Sequence, residues 1–344
     1  MDDIASKRSG ISILRILATL SVIFLHTCSG MTAYPDRYGI PVGSALYTLL
    51  IIGRDISNWG VPCFLMITGR LLLDKDRKLS MDTMLTKYVK RIVLALFLFG
   101  VPFALMEIVS DHRDIRISYI PEAVIRTVTG QSWAHLWYLY GLIGLYLILP
   151  VLKAYTDVCE EKDLKMLLMV VGAAAFVLPY LNEIGLSVPV EVPLASQFVF
   201  YPLMGIYTER YALRIPKAAA AVVTVSCGAI IILMTVRDMP HAAALEKLIY
   251  IPMSVGLYLF TDGMDIHMTK ALWTIDRLCF GAYLIHPLFI NIMYKALDIT
   301  PVSLTGNAAA CAAVTVVFAV CFAAAAFASS FVMSLIPPLK RYVL

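Results

Sequence analysis

Charge is scarce in this sequence. Of 344 residues only 15% are Asp, Glu, Lys or Arg, while 60% are hydrophobic and the mean hydropathy is +0.80. A soluble domain carries about a quarter charged and just under half apolar residues, so this chain has too little polar surface to dissolve. That excludes a pair of soluble domains, a disordered regulator and a disulfide scaffold together. The seven cysteines (Cys28, Cys63, Cys159, Cys227, Cys279, Cys311 and Cys321) form no CxxC pair or metal-ligand spacing and read as small core residues. No basic tract interleaved with aromatics occurs, so nucleic acid is not an expected partner. No internal repeat is visible, which weakens the case for an inverted-repeat transporter. No cleavable leader is expected, since Arg15 interrupts the first apolar run after Lys7 and Arg8 and no small-residue cleavage site follows, so the segment reads as a membrane anchor.

What is present is apolar runs. A helix needs about 20 residues to cross a bilayer. Runs of that order fall at about 11–30, 44–73, 85–109, 135–154, 163–181, 194–212, 218–236, 243–262, 272–296 and 307–335. The expected fold is all-α, a polytopic membrane helix bundle of about ten transmembrane helices forming a single domain over 1–344. Pro and Gly inside several runs (Gly60 and Pro62; Gly100 and Pro102; Pro202 and Gly205) predict kinks. The partly apolar stretch 110–134 reads as a short interfacial or re-entrant segment. With ten spans the odd-numbered connections lie on one side and hold Arg37, Arg113, Arg116, Arg126 and Arg237. The opposite side holds most of the other cations, including the dense stretch from Arg70 to Arg91 and Lys340-Arg341. The positive-inside rule makes that side cytoplasmic, so a multi-pass protein of the cell's inner or plasma membrane with both termini cytoplasmic is expected.

Polar groups inside spans are costly and mark candidate functional sites. In the first span Ser12, Arg15, Thr19 and His26 fall on one stripe. Eleven residues of helix are three turns plus about 20°, and they separate Arg15 from His26 by roughly 16 Å along the axis. Arg15 lies toward the cytoplasm and His26 beyond the midplane. A neutral histidine there is a proton acceptor, or else simply an interhelical hydrogen-bonding group. The second span carries Arg54 and Asp55, read as anchors near its outer end, and then Val61-Pro62-Cys63-Phe64 through Thr68-Gly69. Thr68 and Gly69 leave room for a ligand or another helix. Arg70, Lys90 and Arg91 either hold their loop inside or clamp phosphates at the membrane mouth. His135-Leu136-Trp137-Tyr138-Leu139 opens the fourth span at the outer interface, and Tyr283-Leu284-Ile285-His286-Pro287 lies within the ninth. Three histidines at similar depth raise a metal site, but the accompanying carboxylates are sparse, so none is predicted.

Together these stretches carry a resemblance. Arg15-x10-His26, the Val61-Pro62-Cys63-Phe64 to Thr68-Gly69 stretch, His135-Leu136-Trp137-Tyr138-Leu139 running on to Pro150, and Tyr283-Leu284-Ile285-His286-Pro287 occur in order along nearly the whole chain. In this the chain resembles the acyltransferase 3 family of integral membrane acyltransferases, which includes bacterial O-acetyltransferases of cell-surface polysaccharide and peptidoglycan. It is also similar to the membrane part of vancomycin-resistance serine racemases, without their pyridoxal-phosphate domain. Thr68 stands where Ser is commoner, and Cys63 where one of a pair of Phe is usual. The resemblance implies transfer of an acyl group, usually acetyl from acetyl-CoA as co-substrate, to a hydroxyl of an extracytoplasmic glycan or lipid-linked sugar. His26 would then be the general base with Arg15 beside the reaction path. Arg15, Lys90, Arg91, Arg70 and Thr68 would hold the acyl-CoA. His135, Trp137, Tyr283 and His286 would contact the acceptor, and membrane lipid is the remaining partner. A transporter or exporter of a small polar molecule, or a non-catalytic envelope partner, is the competing reading.

Overall fold

The computed structural model describes residues 2–342 except 212–214, 263 and 265, and it describes no side chains for 2–8 and 342, Lys7 and Arg8 among them. Every regular element among the described residues is helical. In chain order they are α1 (Asp2–Thr32), α2 (Ala45–Asp55), α3 (Gly60–Leu72), α4 (Met81–His112), α5 (Tyr119–Val128), α6 (Trp137–Val158), α7 (Glu161–Glu183), α8 (Gln197–Arg210), α9 (Lys217–Val236), α10 (Ala242–Asp262), α11 (Lys270–Asn291), α12 (Ala308–Ser334) and α13 (Pro337–Tyr342). Single π-turns interrupt α4 at Met84–Val89 and α7 at Ala173–Val177, and another continues α11 over Ile292–Ala296. Among the described residues seven helices are long and apolar enough to cross a membrane: α1 from Ser9, α4, α6 from Ala134, α7, α9, α10 and α12. Ten crossings would require α8, α11 and the α2–α3 pair as well.

The chain forms two compact units, one of 1–71 with 160–330 and one of 72–159 with 331–344. In the first unit the expected second span is two helices. The break at 56–59 follows from Pro62, whose missing N–H leaves the Asn58 carbonyl without a helical donor. Ser21 in the middle of α1 donates to the Ser57 carbonyl at 2.5 Å, and Tyr250 of α10 donates to the Asp55 carbonyl at 2.9 Å. Irregular backbone at this depth requires such internal partners. Asp55 is only 4% exposed and bound bidentately by Arg54, so this pair sits opposite mid-α1 rather than at an outer end. Glycines set the close approaches. A Cβ on Gly69 would enter the Pro202 backbone of α8, and one on Gly205 would enter the Met66 backbone of α3. Small residues at helix crossings allow this backbone contact, which apolar lipid alone does not drive.

In the second unit α5 runs back along α4. His112 stacks on Tyr119 at 5.2 Å between centroids, Ala123 packs with Ala104 and Ile108, and Thr127 meets Gly100. The chain then turns beside the middle of α4, where Trp133 stacks on Phe103 at 4.0 Å and Ser132 donates to the Gly100 carbonyl at 2.8 Å. His135 therefore opens the span that begins at Ala134, packed beside the second half of α4 against Phe103 at 5.8 Å. Tyr140 caps the turn by donating to the Thr127 carbonyl.

Candidate functional site

The polar stripe of α1 faces α11. The two helices run parallel in nearly constant register, since Arg15 meets Asp276 at a sequence offset of 261 and His26 meets His286 at an offset of 260. Near the Arg15 end, an Arg15 Nη donates to Asp276 at 2.6 Å and Ser12 donates to the same carboxylate at 3.0 Å. The arginine side chain is 27% exposed and the aspartate 7%. One turn on, Thr19 donates to the Arg15 carbonyl of its own helix at 2.9 Å and lies beside Cys279 of α11. At the far end His26 Nδ1 and His286 Nε2 are 2.9 Å apart, with ring centroids 5.0 Å apart. His286 Nδ1 lies 2.7 Å from the carbonyl of Tyr283. His26 is half-buried, whereas His286 is 0% exposed and Tyr283 is buried. Beyond the pair, Tyr294 donates to the Thr27 carbonyl, Tyr38 donates to the Tyr294 carbonyl, and Gly30 fits against Ile290 and Tyr294.

The structure thus brings Arg15, His26, Tyr283 and His286 together along one helix pair. Thr68 and Arg70 belong to the same unit but a different cluster. The Thr68 hydroxyl bonds back to the Phe64 carbonyl of its own helix at 2.8 Å. Arg70 is buried, paired with Glu209 of α8 at 3.0 Å and with Asp262 of α10, and it donates to the Tyr258 hydroxyl. A guanidinium held by two carboxylates braces α3, α8 and α10, and each donor used there is unavailable to a phosphate unless a carboxylate is displaced.

Lys90, Arg91, His135 and Trp137 belong to the second unit. Lys90 is exposed, and Arg91 lies beside the edge-to-face pair Tyr88–Tyr146. Lys87 and Arg77 also pack on the Tyr88 ring. His135 is buried and Trp137 exposed. Among the described residues no group of three His, Cys, Asp or Glu side chains is arranged to hold a metal ion.

Sequence reasoning missed Asp276, which holds Arg15, and the carboxylates Glu209 and Asp262, which hold Arg70. A signal for the first was present. Asp276 precedes His286 by ten residues much as Arg15 precedes His26 by eleven, so a helix pairing that joins the two histidines also joins the two charges. No such spacing marks Glu209 or Asp262.

No curated protein and no solved structure matches the chain. The family model of the acyltransferase domain matches residues 8–333. That span takes in α1, α11 and every motif described above, and the chain belongs to the acyltransferase 3 family of membrane acyltransferases.

Proposed function

We propose that the protein is an O-acyltransferase that moves an acyl group, acetyl in the first instance, from cytoplasmic acyl-CoA to a hydroxyl on an extracytoplasmic glycan or lipid-linked sugar. It would work in the cell's inner or plasma membrane with both termini cytoplasmic. The observation that carries this reading is the partly open His26, held against α11 on the same stripe as the Arg15–Asp276 pair, in a chain of this family.

In the proposed reaction the acceptor oxygen attacks the thioester carbonyl while His26 takes the hydroxyl proton. The carbon–sulfur bond then breaks, and the leaving thiolate takes that proton from His26 to give CoA thiol and an ester. The protein is left unchanged. Lys90 and Arg91, both in the second unit, are the candidate ligands for the donor's anionic phosphates. His135 and Trp137 are the candidate acceptor-side contacts.

The test is transfer of labelled acetyl from acetyl-CoA by purified protein in lipid nanodiscs, supplied with envelope glycan fractions. His26→Ala is expected to abolish transfer, and Arg15→Ala to lower it strongly. Full transfer by both variants would remove the assignment. Absence of any acetyl-CoA binding by the wild-type protein would favour the transporter reading.

A further inference from the structure

We infer that His286 is a positioning residue that fixes the tautomer of His26, so that Nε2 is the nitrogen that takes the acceptor's proton. This rests on the proposed acyl transfer for its consequence but not for its geometry.

The argument starts with Pro287. A proline inside a helix has no N–H to give to the carbonyl four residues back. In α11 that carbonyl belongs to Tyr283, and it would be left without its helical donor within the bundle. His286 Nδ1 stands 2.7 Å from it. A carbonyl only accepts, so His286 Nδ1 carries the hydrogen. In a neutral imidazole the other nitrogen is then an acceptor. His286 Nε2 faces His26 Nδ1 at 2.9 Å, so His26 must donate from Nδ1 and keep its lone pair on Nε2. The short run Tyr283-x-x-His286-Pro287 thus supplies an acceptor to the ring of a histidine on another helix, beside the Val22 carbonyl to which that ring also bonds.

The two rings divide the work by exposure. His286 has no exposed surface and cannot readily meet an acceptor, while His26 is half-open. An isolated neutral imidazole favours the Nε2–H form, which would put a proton on the reacting nitrogen. His286 reverses that preference. When His26 takes the hydroxyl proton, both of its nitrogens carry hydrogen, and the Nδ1–H···Nε2 bond to His286 becomes charge-assisted. The same logic, a buried partner holding a catalytic imidazole in one tautomer and orientation, underlies serine-protease triads.

Full-length protein with 15N-labelled histidine, in nanodiscs, tests this directly. Signals are assigned by loss in His26→Ala, and the expected result is a protonated Nδ1 and a lone-pair Nε2 on His26. A protonated Nε2 on neutral His26 would overturn the inference, whether or not acyl transfer is found. Kinetics give the second readout. His286→Leu should lower kcat by roughly 10²–10⁴-fold with KM for acetyl-CoA unchanged. His286→Gln offers a carboxamide oxygen near the place of Nε2 and should recover activity to within about tenfold of wild type. Equal loss in the Gln and Leu variants, with both folded, would also overturn it. If the wild-type protein transfers no acyl group, the proposed function fails while the nitrogen signals still decide the tautomer.

Discussion

Removing Asp276 gives the most informative structural perturbation, because one carboxylate serves two donors on α1. Arg15 approaches it at 2.6 Å and Ser12 at 3.0 Å. Two unit charges about 4 Å apart attract by about 4 kcal/mol at an effective dielectric constant near 20. Arg15 keeps 27% of its side chain exposed, so solvent and headgroups screen part of that. A coupling of about 2–3 kcal/mol remains, within the range of about 0.5–3 kcal/mol typical of groups that share a network. Asp276→Asn keeps an oxygen for Ser12 and should lose only this charge coupling. Asp276→Leu also forfeits the Ser12 bond, about 1 kcal/mol more. The assay is thermal unfolding in nanodiscs for Arg15→Gln, Asp276→Asn and the double variant. The two single variants should each be destabilised, and the double variant should be more stable than their sum implies by about 2–3 kcal/mol. Strict additivity would show that the pair contributes nothing to holding α1 on α11. The physical reasoning about the stripe would then be wrong.

Other outcomes follow from the same packing. Gly69→Ala and Gly205→Ala should each destabilise the α3–α8 contact by several kcal/mol, because the new Cβ meets main chain that has no rotamer to adopt, and the loss is read as a lower unfolding temperature. Arg70→Met leaves Asp262 and Glu209 uncompensated and should cost about 3–5 kcal/mol, with part restored by adding Glu209→Gln in a double variant. Lys90→Ala and Arg91→Ala should each raise KM for acetyl-CoA about tenfold, with kcat little changed and a weaker response to added salt, measured by initial-rate kinetics.

Much of the architecture was legible because it depends on composition and period alone. Long apolar runs had to become helices in a membrane, and the windows around 85–109, 218–236 and 307–335 match α4, α9 and α12 closely. The 44–73 run was legible only as a bent element. Pro62 announced a disturbance, but the break at 56–59 depends on Ser21 and Tyr250, which lie on other helices and supply its hydrogen bonds. The depth of Asp55 was hidden for the same reason. His135 was legible as the start of a span, but its neighbours were not, because α5 folds back along α4 and brings the stretch against Phe103. At the candidate site, helical period placed Arg15 and His26 on one face. It could not say which helix they faced, because partner choice between helices depends on Gly30 fitting against Ile290 and Tyr294 and on Thr19 fitting beside Cys279 in three dimensions.

The central claim is that His26 accepts the proton of an acceptor hydroxyl during acyl transfer. Single-turnover transfer of labelled acetyl from acetyl-CoA, measured in nanodiscs with His26→Ala beside the wild type, tests it most directly. The expected result is intact acetyl-CoA binding with the transfer step slowed by roughly 10²–10⁴-fold. Transfer at the wild-type rate by His26→Ala would contradict the account.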